Sequence, residues 1–136
     1  MEKDLFAGKI GVDELPLVWN QKYKETLGVK VENDAEGVMQ DTHWASGLYG
    51  YFPTYALGNI YTGQIMGAIQ RETAVWRSEL AQGNLNNIRK WLSDNIYCYG
   101  DLYDPADLIK KATGTTLTVK PYLAYLNEKY SQLYAF

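Results

Sequence analysis

Histidine and cysteine are the scarcest reactive residues in this sequence, with one of each among 136 residues. The single cysteine, Cys98, excludes an internal disulfide bond and a cysteine-rich zinc site. Zinc sites draw several ligands from His, Cys, Asp and Glu, and His43 lies far from Cys98 in the sequence. The chain contains no H-E-x-x-H, G-x-S-x-G or Walker motif. We therefore expect this chain to bind no metal ion or cofactor by itself.

Long apolar runs and an excess of one charge are absent as well. No stretch of about 18 apolar residues is present to cross a membrane, and the N-terminus lacks the apolar core of a signal peptide. The 13 basic and 16 acidic residues are interspersed and give a net charge of −3 without a basic stripe. These features predict no membrane partner and no nucleic-acid partner, and a lone cysteine suits the reducing cytoplasm.

Aromatic residues are abundant, with 12 tyrosines and 4 tryptophans. Such side chains most often bury an apolar ring while a polar tip is hydrogen-bonded. With 46% hydrophobic and 21% charged residues, the composition is that of a globular protein. The length suits a single portion or domain over residues 1–136.

The hydrophobic periodicity is helical almost throughout and predicts an all-α fold, an irregular array of five to six helices. The first helix has Asp13 as its predicted N-cap and Gly28 as its stop, and the next begins at Pro53. Later helices are predicted for residues 75–82, 85–100, 105–113 and the C-terminal stretch. Residues 38–52 break the pattern and are predicted as an extended or loop segment.

Three glycines, Gly58, Gly63 and Gly67, fall inside the helix that begins at Pro53. Each glycine in a helix costs about 1 kcal/mol relative to alanine. Close approach of another helix usually offsets this cost. A membrane-dimer motif is the alternative for Gly63 and Gly67, but Gln64 and Arg71 argue against it.

The irregular segment carries the chemically capable residues of the chain. A lone histidine beside a tryptophan, such as His43 beside Trp44, is more often structural than catalytic. In an extended segment Asp41 would share a side with His43 and could orient its ring, while Gln40 would point to the opposite face. The simpler alternative has Asp41 and His43 facing water. Cys98, between two tyrosines, is predicted to be a buried structural thiol.

Two adjacent motifs carry a resemblance to a known family. They are Gly37-x-x-Gln40-Asp41-x-His43-Trp44 and Gly50-Tyr51-Phe52-Pro53-Thr54-Tyr55. Together they resemble the carboxypeptidase Taq family of metallocarboxypeptidases, and the resemblance extends over essentially the whole chain. It implies a longer, mostly helical enzyme with a zinc- or cobalt-type divalent metal. In that family the metal is held by the two histidines of H-E-x-x-H and a downstream glutamate. Those elements would precede Met1, so the chain is expected to be the C-terminal portion.

The resemblance also implies roles for residues of this chain. His43, Tyr55 and Tyr51 are predicted to be catalytic, as donors to the oxyanion formed on the peptide carbonyl. Gln40, Asp41 and Trp44 are predicted to bind substrate or to hold the loop and the imidazole in place.

Partners follow from the same resemblance. They are the C-terminus of a peptide substrate and the missing N-terminal part of the enzyme. A second copy in a homo-oligomer is also predicted, because the face that meets the missing part would be left apolar. The isolated chain is expected to be inactive. The alternative is a non-enzymatic helical module that binds a peptide or protein through its aromatic face.

Overall fold

The computed structural model of the protein describes residues 1–135 and contains seven α-helices and no strand within that range. The helices are α1 (Glu2–Phe6), α2 (Leu15–Leu27), α3 (Pro53–Glu72), α4 (Trp76–Ala81), α5 (Asn86–Asn95), α6 (Pro105–Thr113) and α7 (Lys120–Tyr134). Four 3₁₀ turns lie between them, at Val12–Glu14, Val38–Gln40, Trp44–Ser46 and Tyr97–Tyr99. The chain divides into two compact units, Met1–Pro53 and Thr54–Phe136.

The prediction of an all-α fold is confirmed, although α1 brings the number of helices to seven instead of five or six. The stop at Gly28 is also confirmed, because its φ of 69° places it in the left-handed region that favours glycine. Asp13 as N-cap is wrong. It lies inside the 3₁₀ turn Val12–Glu14, where Glu14 accepts the backbone N–H of Gly11 at 2.7 Å.

The core of the second unit lies between α3, α5 and α6. Its buried members are Ala68 and Ile69 of α3, Trp91 of α5 and Ala112 of α6. The indole N–H of Trp91 donates to the carboxylate of Glu72 at 2.7 Å, so the polar edge of this large side chain is satisfied. Partly buried hydrophobic residues of α3, of α5 and of the position just after α5 pack against this small core.

Gln64 is a polar residue within this unit, with only 3% of its surface exposed. Its amide nitrogen lies within hydrogen-bonding distance of four oxygens, from Thr113, Thr115 and Thr116, at 2.9 to 3.2 Å. Its amide oxygen accepts the backbone N–H of Thr118 at 2.9 Å. Gln64 therefore ties α3 to the connection between α6 and α7, and burial without such partners would be unfavourable.

Gly63 explains one of the glycines in α3. A Cβ atom at this position would lie 2.8 Å from the Cα atom of Tyr122 in α7 and 2.9 Å from its backbone nitrogen. The close helix approach that the sequence predicted is therefore confirmed at Gly63. Gly58 has no atom within 4 Å of the same hypothetical Cβ.

These surroundings predict opposite effects for two substitutions in one helix. Gly63→Ala is expected to lower the free energy of unfolding by about 1–3 kcal/mol, because backbone atoms of Tyr122 must shift. Gly58→Ala meets open space and is expected to raise it by up to about 1 kcal/mol through helix propensity. Urea denaturation of the two variants measures both effects. Equal effects of the two substitutions would contradict the close approach.

Several aromatic and reactive side chains are more exposed than expected. Tyr97 is 64% and Tyr134 71% exposed, so the general expectation that tyrosine rings are buried does not hold for them. The prediction that Cys98 is buried is wrong, because it lies in the exposed 3₁₀ turn Tyr97–Tyr99 after α5. Within residues 1–135, none of the helices combines the length and the apolar character needed to cross a lipid bilayer.

Candidate functional site

The segment that carries the first motif is a loop with two 3₁₀ turns. Val38–Gln40 and Trp44–Ser46 form the turns, and Asp41, Thr42 and His43 connect them. Of the two predicted forms, extended or loop, the loop is confirmed. The strand fails because two local backbone hydrogen bonds, from Gln40 to Gly37 and from Ser46 to His43, bend the chain at both ends.

Gly37, the first residue of the motif, stands where a larger residue would displace its neighbours. It is buried, and a Cβ atom would lie 2.8 Å from a methyl group of Val31 and 3.3 Å from the carbonyl oxygen of Asn33. Contacts below about 3.0 Å require the neighbours to move. The first residue of the motif thus allows residues 31–37 to fold tightly beneath the loop.

Asp41 and His43 form the most specific interaction of the segment. One carboxylate oxygen of Asp41 accepts the backbone N–H of His43 at 3.0 Å and lies 3.0 Å from the Nδ1 atom of the same histidine. The Asp41 side chain is 7% exposed and the His43 side chain 20%. The contact that the sequence predicted for an extended segment is thus present in a loop instead, and the alternative that both side chains face water is wrong.

This contact determines how the ring can interact with other groups. A carboxylate only accepts, so it favours a proton on Nδ1 of His43. In the neutral ring, Nε2 is then an acceptor. In the imidazolium, Nδ1 donates to Asp41 and Nε2 is a donor as well. With Nδ1 directed to Asp41, only the doubly protonated ring offers a hydrogen-bond donor at Nε2.

The His43 ring also connects the two motifs. It stacks with the ring of Tyr51 at a centroid distance of 5.2 Å and an interplanar angle of 30°. Phe52 meets it edge-on at the same centroid distance and an angle of 76°. The structure therefore brings together three of the predicted site residues, Asp41, His43 and Tyr51, with Phe52 beside them.

Trp44 is held by a residue that the sequence did not single out. Its indole N–H donates to one carboxylate oxygen of Glu2 at 2.6 Å, and the other oxygen accepts the backbone N–H of Gly50 at 2.8 Å. Phe6, also in α1, packs edge-on against Tyr49 at 5.0 Å. Nothing in the local sequence pattern signals these contacts, because 42 and 48 residues separate the partners.

The remaining predicted residues are placed differently. Gln40 donates its side-chain amide to the carbonyl oxygen of Ala35 at 2.6 Å, which closes the loop that precedes the histidine. Tyr55 lies in the first turn of α3, in the second unit, with 55% of its surface exposed.

A metal site cannot be built from the residues of this chain that the structure describes. Among residues 1–135, no group of three or more His, Cys, Asp or Glu side chains could hold a metal ion. The Asp41–His43 pair supplies at most two such ligands, and His43 already directs Nδ1 to Asp41. The residues present do not fit a metal centre of their own.

Solved structures that share this fold define the class of protein. The crystal structure of an M32 carboxypeptidase from Deinococcus radiodurans R1 matches with a TM-score of 0.93 and 34% sequence identity, over 99% of this chain and 27% of that one. The fold is thus that of part of an M32 carboxypeptidase. The chain belongs to the carboxypeptidase Taq (M32) metallopeptidase family, whose profile matches residues 1–130.

Curated relatives agree with this assignment. Carboxypeptidase 1 of Bacillus subtilis (strain 168) is 41% identical over 134 residues, which is 98% of this chain and 27% of the relative. Thermostable carboxypeptidase 1 of Thermus thermophilus is 39% identical over 134 residues, 98% of this chain and 26% of the relative. The chain therefore spans about a quarter of the length of these relatives.

Proposed function

We propose that this chain is the C-terminal portion of a metallocarboxypeptidase that removes C-terminal residues from peptides. Its part in the reaction is to contact the substrate and to stabilise the oxyanion. The observation that carries the proposal is the oriented imidazole of His43, held by Asp41 and stacked on Tyr51 within a family motif. The family membership supports it, since the similar proteins are named carboxypeptidases.

The chemical role of His43 follows from its contact with Asp41. When the peptide carbonyl is attacked, its oxygen gains negative charge and needs hydrogen-bond donors. The imidazolium form donates through Nε2 to this oxygen while Asp41 holds Nδ1, so the ring is fixed before the charge develops. Tyr51 supplies a phenol O–H donor for the oxyanion or for polar groups of the substrate. The catalytic role of Tyr55 stays a prediction from the resemblance.

The other predicted residues keep the loop in shape. Gln40 holds the turn before Asp41 through the Ala35 carbonyl, and Trp44 anchors the residue after His43 through Glu2. The divalent metal implied by the family is proposed to be of zinc or cobalt type, with ligands in the remaining three quarters of the enzyme. The cytoplasmic location and the homo-oligomer stay predictions from the sequence.

Exposed apolar side chains on both units support association with the rest of such an enzyme. Large hydrophobic residues with more than 60% exposure include Phe6, Leu17 and Leu27 in the first unit, and Leu102 and Leu133 in the second. Large exposed apolar surface marks interfaces or aggregation sites. We propose that the missing part of the enzyme covers these side chains.

The proposed function predicts no peptidase activity for the isolated chain and substantial activity for a chimera. In the chimera, this chain replaces the matching 134-residue region of the Bacillus subtilis relative, with which it shares 41% identity. The chimera is expected to release C-terminal residues from N-blocked peptides at a kcat within about tenfold of the parent, since the metal ligands stay in place. Amino-acid release is measured for the parent, the chimera and the isolated chain.

Two outcomes would contradict this proposal. One is a folded, metal-loaded chimera that has no carboxypeptidase activity. The other is metal-dependent release of C-terminal residues by the isolated 136-residue chain. Metal content measured on each sample separates a failure of chemistry from a failure to load the metal.

A second candidate function is a non-enzymatic peptide-binding module. A groove of about 530 Å³ favours it, formed by α3, α7 and the start of α4 and lined by residues that include Met66, Trp76, Arg77 and Tyr125. Its volume lies in the range of ligand sites. Peptide binding to the isolated chain that persists in Asp41→Ala and is lost in Trp76→Ala would favour this function over the first.

A further inference from the structure

The carboxylate of Glu2 bridges two points of the loop that carries His43. Its two oxygens accept different donors, the indole N–H of Trp44 at 2.6 Å and the backbone N–H of Gly50 at 2.8 Å. Hydrogen bonds to an ionised carboxylate are about twice as strong as bonds between neutral groups. A residue in the first turn of α1 is thus bonded to both ends of the segment 44–50.

The segment between these two points is internally braced. The carbonyl oxygen of His43 accepts the backbone N–H groups of Ser46 and Leu48, each at 3.0 Å, and that of Trp44 accepts the N–H of Gly47 at 2.9 Å. These three backbone hydrogen bonds are expected to make the turn move as a rigid unit. When Glu2 fixes its ends, it also fixes the residue before the segment, His43, and the residue after it, Tyr51.

We propose that Glu2 is a positioning residue that sets the location of the His43 imidazole and the Tyr51 ring through Trp44 and Gly50. The catalytic meaning of this role rests on the proposed function given above. The positional role itself rests on the two hydrogen bonds and can be measured without any peptidase activity.

The single histidine makes the measurement direct, since the imidazole CH signals of the isolated chain belong to one residue. Glu2→Gln keeps the size of the side chain but replaces one acceptor oxygen with an NH₂ donor, which cannot satisfy both N–H groups. In two-dimensional NMR spectra it is expected to shift the His43 imidazole, the Trp44 indole N–H and the Gly50 amide. Glu14→Gln is the matched control, because Glu14 also accepts a backbone N–H, from Gly11, in the same unit.

A second variant keeps the inference testable if Glu2→Gln does not fold. Trp44→Phe retains an aromatic ring and removes the indole donor, so it is expected to shift the His43 signals as well. In the double variant the two shifts should not add fully, because both variants disturb the same Glu2–Trp44 hydrogen bond. Unchanged His43 signals in the folded single variants would overturn the inference. Shifts as large in Glu14→Gln would overturn it too.

The chimera gives the catalytic readout. Glu2→Gln is expected to lower kcat about 10- to 100-fold with little change in KM, as misplacement of a catalytic group does, while Glu14→Gln retains the parent values. A kcat unchanged by Glu2→Gln would overturn the catalytic role of Glu2. An inactive parent chimera together with shifted His43 signals would reject the proposed function and leave the positional role of Glu2 intact.

Discussion

Replacing His43 with asparagine in the chimeric enzyme is expected to lower kcat about 10²–10³-fold, the usual effect of removing one oxyanion donor. The asparagine amide can reach the position of Nδ1 and keep a bond to Asp41, but it places no donor at the position of Nε2. KM should change little, because the lost bond forms mainly as charge develops on the carbonyl oxygen. The measurement is kcat and KM with N-blocked peptides of free C-terminus.

His43→Gln is the matched variant. The longer amide reaches the position of Nε2 instead of Nδ1, so it restores a donor toward the substrate while it loses the bond to Asp41. We expect His43→Gln to retain more activity than His43→Asn. The reverse order would show that the bond to Asp41 matters more than a donor at Nε2, and it would contradict the oxyanion role. Equal metal content in both variants is the control for an intact metal centre.

The helices with strong local signals could be predicted from the sequence. Proline at the first position of α3 and glycine after α2 act within a few residues of the boundary that they set. Side-chain alternation predicts the contact between Asp41 and His43 only for an extended segment. It forms in the loop instead, where the same Asp41 oxygen also accepts the backbone N–H of His43. The resemblance to the family added the motif around them, which composition and periodicity did not reveal.

The features that were overlooked or wrongly predicted are those in which tertiary contacts determine the structure. Helix α1 is five residues long, too short to show a hydrophobic period, and it is stabilised by contacts of Glu2 and Phe6 with residues more than forty positions away. The exposure of Cys98 depends on which faces of the turn after α5 meet other elements, and local sequence contains no such information. Asp13 is of a residue type that often caps helices, but it lies inside a 3₁₀ turn that precedes α2.

Gln64 is predicted to be the most sensitive polar position of the second unit. Gln64→Glu changes little in shape, but it replaces the amide nitrogen that faces four oxygens with another oxygen. A buried charge without compensation costs several kcal/mol, so we expect the free energy of unfolding to fall by about 3 kcal/mol or more near pH 7. Gln70→Glu is the matched control, since Gln70 lies on the same helix and is exposed, and it should change stability by no more than about 0.5 kcal/mol.

The pH dependence of this variant separates buried charge from simple loss of a hydrogen bond. Burial raises the pKa of the introduced carboxyl above the value of about 4.3 that glutamate has in an unfolded chain. When the pKa of a group is higher in the folded than in the unfolded state, the protein is most stable below the unfolded pKa, where the group is protonated in both states. The stability then falls as the pH rises through the folded pKa. The deficit in unfolding free energy of Gln64→Glu relative to the parent should therefore be smallest near pH 4, where the carboxyl is protonated and can donate one hydrogen bond, and should grow toward pH 7.

Urea denaturation of the parent, the variant and the control at both pH values measures this deficit. A deficit of the same size at both pH values would contradict the prediction that the variant places an uncompensated charge at this buried position, where Gln64 is 3% exposed.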